Sequence, residues 1–242
     1  SKTFNLAGLQ QATCICPDES IRSAFRAQMA KAGVTCGNIF ALEGTRAAYN
    51  EGDAWLDGLM AYLDGNRRHL EKLVAEYLPV ALKDPNNLEA RYFLAYAALI
   101  AGISFDNGLL HYTHALEHPL SGVNPNLTHG LGLAMLLPAV IKNIYAAKPA
   151  TLADVLAPIV PGLTGCPCEA DKVAQGVEKW LFSVGSTHKL EDEGFKAEDV
   201  DKLVDLAFNT PSLGGLLGIA PTEATKESVR AIYTESLKPY NK

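Results

Sequence analysis

The chain has 242 residues, 48% of them hydrophobic and 20% charged, which is enough for one large domain or two small ones with a real core. A formal charge of -6 leaves no basic excess to displace counterions, so nucleic acid and anionic membrane surfaces are not expected partners; small molecules and proteins remain. The five cysteines, Cys14, Cys16, Cys36, Cys166 and Cys168, are odd in number, so free thiols in a reducing compartment are expected rather than a disulfide framework.

In chain order, "ATCICP" (12–17) reads as one short strand. Asp18 then caps a helix whose apolar positions Ile21, Phe25 and Met29 recur every four residues until Gly33 stops it. Residues 41–79 form a long amphipathic helical stretch carrying Trp55, Leu56, Leu59, Met60 and Leu63, then Leu70, Leu73, Val74 and Tyr77. A break is expected near Gly65 and an end at Pro79. Residues 86–103 are apolar nearly all round from Tyr92 on, the pattern of a helix buried inside a bundle.

Further helices are predicted over 106–118, 126–147, 150–157, 169–184, 196–208 and 222–236, punctuated by Pro158, Pro161, Pro167, Pro211 and Pro221. The glycines of "PSLGGLLG" (211–218) lack a strand-turn-helix context and read as a loop. No strand and helix alternation is visible. The fold class is therefore mainly α, a multi-helix bundle with at most one or two short strands near the N-terminus. The apolar run 131–141 contains Pro138 and is shorter than the roughly 20 residues of a bilayer span, so no transmembrane segment is predicted. No charged-then-apolar leader follows Ser1, and a cytoplasmic location is expected.

Residues 111–130, "HYTHALEHPLSGVNPNLTHG", hold four of the six histidines. On a helix, His111, His114 and His118 at i, i+3 and i+7 share one face. The turn signals of "PLSGVNPN" predict a helix-loop-helix return that brings His129 opposite His114, a usual way for a bundle to build an interior metal site. Spacing alone leaves a satisfied core or surface histidine as the alternative. Neutral imidazole suits Zn, Fe, Ni or Cu alike.

"GISFDNGLLHYTHALEHPLSGVNPNLTHGLGLAMLLPAVIKNIY" (102–145) resembles the signature of the iron-containing, group III alcohol dehydrogenases: G-x-x-F-x-N, then H-x-x-x-H-P-L-x-G, then a His-Gly turn before an apolar L-L-P helix. The resemblance runs more loosely from about residue 78 to the end. It implies an oxidoreductase domain in which His114 and His129 hold a divalent metal (Fe, Zn or Ni) and His118 is the catalytic residue beside nicotinamide and alcohol. His111 matches no family ligand and reads as a polar residue on the bundle wall. Thr128 stands where many members have Pro.

That family completes its metal site with an upstream D-x-x-x-H helix. The nearest match is "GDAWLDGLMAYL" (52–63), where Asp53 fits the Asp and Asp57 replaces the His, a change that favours harder metals. The family's Gly-rich dinucleotide-binding domain has no counterpart in these residues, so NAD(P) is expected only if such a domain is supplied. Residues 1–79, through "SKTFNLAGLQ", "PDESIRSAFRAQM" and "GNIFALEGTRAAYNEGDAWLDGLMAYLDGNRRHLEKLVAEYLP", resemble a PLP-dependent cystathionine β-lyase (fold type I). In that motif Lys2 is the Schiff-base lysine, and the helix bearing Asp53 and Asp57 fits a lyase helix as well. Without the lyase's other domains a bound PLP is not expected.

The sequence therefore reads as a chimera of two segments, 1–79 lyase-like and 80–242 dehydrogenase-like. Three readings follow, in this order: a helical metal-binding domain of dehydrogenase type that is not an autonomous oxidoreductase, a non-catalytic recombined fragment, and last a remnant of a PLP-dependent C–S lyase. A homo-oligomer, most simply a dimer, is the expected partner state, with an alcohol or aldehyde as the small-molecule ligand.

Overall fold

The computed structural model describes residues 3–10, 12–34, 37–106 and 110–240. Eleven α-helices and no strand occur among them. Residues 12–17 form no ladder: Ile15 is exposed, and with no neighbouring strand its β-branched side chain has nothing to pack on. The chain divides into two compact units, Ser1–Arg67 and Arg68–Lys242.

In the first unit, α1 (Glu19–Lys31) starts where the Ile21 N–H donates to the Asp18 carboxylate at 3.0 Å, and the chain leaves it through Gly33 at φ +73°. α2 (Ile39–Glu51) is capped by Asn38, whose side-chain oxygen accepts from the Phe40 N–H at 2.9 Å. The long helical stretch breaks at Gly52, not Gly65. A Cβ at Gly52 would lie 2.3 Å from the Ala48 carbonyl oxygen and 2.5 Å from the Phe4 ring, so only glycine fits that close turn.

α3 (Asp53–Lys83) then runs through Gly65 and Pro79 and crosses the boundary between the units. A mid-helix glycine costs only about 1 kcal/mol. Pro79 removes one hydrogen bond, yet the ladder resumes, the Asp84 N–H donating to the Val80 carbonyl at 2.9 Å, and the chain turns at Pro85.

In the second unit, α4 (Leu88–Asp106) follows Asn87, which accepts from the Ala90 N–H at 3.0 Å. The expectation of a helix buried within a bundle is not met. Only Ala90 and Ala97 are buried, while Leu88, Tyr92 and Leu99 are 80%, 66% and 60% exposed. By length and composition alone α4, with a mean hydropathy of 1.3, is long and apolar enough to cross a membrane. Its uninterrupted apolar run, Tyr92 to Ile103, is longer than that of 131–141.

The core belongs to α5 (Tyr112–Val123), α6 (His129–Tyr145), α7 (Pro149–Leu156), α8 (Ala170–Ser183), α9 (Val200–Asn209), α10 (Leu213–Leu217) and α11 (Lys226–Ser236). α6 packs against α5, α8 and α11. Leu116, Leu136, Val140, Val177, Leu203 and Ile232 close over it without leaving water access. α5 begins at Tyr112 instead of 106 because His111 is extended (ψ 161°), and it continues through Pro119 to Val123. The glycine-rich 211–218 segment, expected as a loop, holds the short α10, whose Leu213 and Leu217 are buried.

Two polar contacts of Glu178 lock this core. Lys189 and Glu178, both buried, pair at 2.9 Å, and the other Glu178 oxygen accepts from the Tyr240 N–H at 2.8 Å. Cys166 and Cys168 are joined by a disulfide, which corrects the expectation of free thiols; Cys14 and Cys16 are free.

Candidate metal centre

The site forms where α5 turns back into α6. His114 and His118 are one helical turn apart on α5, and His129 is the first residue of α6. The return places the His129 ring 5.4 Å from that of His114 and 5.8 Å from that of His118, centroid to centroid. His111 is not on this face. Instead its ring caps α5, where the Thr113 N–H approaches Nδ1 at 3.4 Å, so the three-histidine face expected from spacing reduces to two.

Glu117, between His114 and His118 in sequence, is fully buried. One of its oxygens contacts His129 Nδ1, and the other accepts from the Ser121 hydroxyl at 2.5 Å. Gly132, one turn along α6, makes room for it: a Cβ there would lie 2.8 Å from both Cγ and Oε1 of Glu117. The Tyr233 hydroxyl on α11 donates to the Leu116 carbonyl at 2.7 Å and fixes α5 at this level. Ligand atoms of Glu117, His118 and His129 lie within 4.8 Å of one another.

His114 Nδ1 is buried and has no hydrogen-bond partner. Burial, then the neighbouring His129 and His118 rings, lower its pKa, with Glu117 opposing, so the ring is neutral at neutral pH. A neutral imidazole with an unused buried nitrogen, beside a second imidazole braced by a carboxylate, is a donor set that fits a divalent transition metal.

Of the other residues singled out in the sequence, Asp53 and Asp57 are exposed on α3 in the first unit and are not members of this cluster. Lys2 lies outside the described residues. Glu117 is the residue sequence reasoning missed. Its signal was a carboxylate flanked on α5 by Leu116 and Leu120, where an apolar residue belongs, with a glycine three residues after His129.

The described residues are all-α, with a histidine and carboxylate cluster at a helix-helix return. The chain belongs to the iron-containing alcohol dehydrogenases: residues 60–237 match the Fe-containing alcohol dehydrogenase family, C-terminal. It is 60% identical over 165 residues to a long-chain primary alcohol dehydrogenase of Thermoanaerobacter ethanolicus, covering 68% of this chain and 41% of that protein. It is 33% identical over 140 residues to an NAD-dependent methanol dehydrogenase of Bacillus methanolicus, covering 57% and 36%. The fold superposes on an archaeal alcohol dehydrogenase from a Red Sea brine pool with a TM-score of 0.62 at 26% identity, over 70% of this chain and 43% of that one. The chain thus spans about two fifths of the length of these relatives.

Proposed function

We propose that the second unit is the metal-holding part of an alcohol dehydrogenase, with His114 and His129 as ligands and His118 handling the proton of an alcohol or aldehyde. The observation that carries this is the buried, unpartnered Nδ1 of His114 beside a His129 ring held by a buried carboxylate. A divalent ion bound there supplies a Lewis acid for the alcohol oxygen. With Nδ1 engaged by Glu117, His129 keeps Nε2 as its donor, and the carboxylate raises that nitrogen's basicity. His118 is exposed on the same face, where its ring can exchange a proton with substrate and solvent. Relatives named for NAD-dependent activity support nicotinamide as the hydride partner. These residues hold no Gly-rich phosphate turn to bind it, so hydride transfer needs a nucleotide-binding domain in addition.

The family stretch begins at Met60, so residues 60–79, expected in the lyase-like segment, fall within the dehydrogenase match instead. We propose no PLP chemistry for that segment, and incubation with PLP that gives no Schiff-base absorbance is the expected result.

Equilibrium dialysis against Zn2+ tests the site. Glu117→Gln is expected to weaken binding by about 10–100-fold, as loss of a partner to a metal-bound histidine does. His118→Ala is expected to leave affinity near that of the parent chain. Unchanged affinity in a His114→Ala/His129→Ala chain would contradict the assignment.

A further inference from the structure

Away from α5, the entry to α8 carries a feature that the dehydrogenase reading does not use. Cys166 and Cys168 are bonded across Pro167, with Cα atoms 5.2 Å apart, in a 3-10 turn (Pro167–Glu169) that leads into α8. Cys168 is exposed and Cys166 half-buried. A disulfide between residues two apart closes so small a loop that it constrains little of the unfolded chain, and chain-entropy stabilisation gives no reason for it. Its chemistry does.

We propose that Cys166-Pro167-Cys168 is a thiol-disulfide exchange site for low-molecular-weight thiols of the glutathione class. An incoming thiolate bonds to the exposed Cys168 sulfur, the Cys166–Cys168 bond breaks, and its electron pair leaves on Cys166 as thiolate. A second thiol then attacks the mixed disulfide at its own sulfur, leaving Cys168 as thiolate. The two protons lost by the small thiols end on the two cysteines, so one protein disulfide and two small thiols become two protein thiols and one small disulfide. Oxidation is the reverse.

Three features of the turn favour this order. The Cys168 N–H donates to the Cys166 sulfur at 3.3 Å and stabilises it as the leaving anion. The N-terminal end of α8 lies beside it and favours negative charge. Hydrogen bonds to Glu169 also hold the turn, beside the disulfide. The Glu169 carboxylate accepts from the N–H groups of Thr164, Gly165 and Cys166 at 2.9, 3.1 and 3.2 Å, and from the Tyr145 hydroxyl at 3.3 Å. Glu169 adds a like charge that works against a thiolate, but its charge is spread over those donors.

The test equilibrates the native chain in buffers of stepped reduced-to-oxidised glutathione ratio, blocks thiols with N-ethylmaleimide and weighs the peptide holding both cysteines. A reversible passage from unlabelled to doubly labelled, with an unchanged circular dichroism spectrum, is expected. A peptide doubly labelled even in excess oxidised glutathione, or unlabelled even in excess reduced glutathione, overturns the proposal. Single variants read the order of attack. Cys166→Ala is expected to form a mixed disulfide with oxidised glutathione at Cys168 at least tenfold faster than Cys168→Ala does at Cys166. Equal or reversed rates overturn the assignment of Cys168 as the attacked sulfur.

Discussion

At the scale of single residues, the second unit buries carboxylates beside specific polar partners. Glu117 is the sharpest case, because its carboxylate fits only against a residue without a side chain. Gly132→Ala is expected to push the carboxylate off His129 and to cost about 1–3 kcal/mol, read as a shift in the urea midpoint. Glu169 gives a pH-dependent counterpart. Partial desolvation would raise its pKa, but hydrogen bonds from Thr164, Lys172 and Cys166 outweigh that and bring it from 4.5 down to about 2. A folded pKa below the unfolded one means its stabilisation is complete above about pH 4.5 and is lost as pH falls toward 2. Denaturation midpoints measured across that window are expected to fall less steeply in Glu169→Gln than in the parent chain.

At the scale of elements, helices with a local start and stop were legible in the sequence. α1 has its Asp18 cap and Gly33 exit, and α8 and α11 have apolar positions at helical spacing, so their identity needs nothing beyond neighbouring residues. Breaks set by tertiary contact were not legible. Gly52 and Gly65 look alike in sequence, and only the approach of Ala48 and Phe4 makes the first a break. The start of α5 was misplaced for a related reason, since His111 acts as a cap rather than a helical residue. Buried ion pairs were equally hidden, because Glu178 and Lys189 read as ordinary surface charges. Lys189→Met leaves Glu178 buried without its cation and is expected to cost about 3–5 kcal/mol by thermal or urea unfolding. Part of that loss falls on the C-terminal residues, since Glu178 also holds the Tyr240 N–H and the Lys189 ammonium stands 5.7 Å over the Tyr240 ring.

At the scale of the whole molecule, the apolar core runs from Tyr112 to Leu237 and lies wholly in the second unit, which also holds the cluster of Glu117, His118 and His129. The mainly α class followed from periodicity, because a bundle of this kind writes its packing face into every helix. The site followed only in part. His114, His118 and His129 stand in a pattern the eye can catch, whereas Glu117 becomes visible only when α6 folds back on α5. The return of α6 onto α5 is proposed as a metal centre. Metal content of the purified chain by mass spectrometry, beside the His114→Ala/His129→Ala chain, tests it most directly. Near-stoichiometric Fe, Zn or Ni in the parent and its loss in the double variant are expected; equal metal in both, or none in either, would rule out a metal centre here.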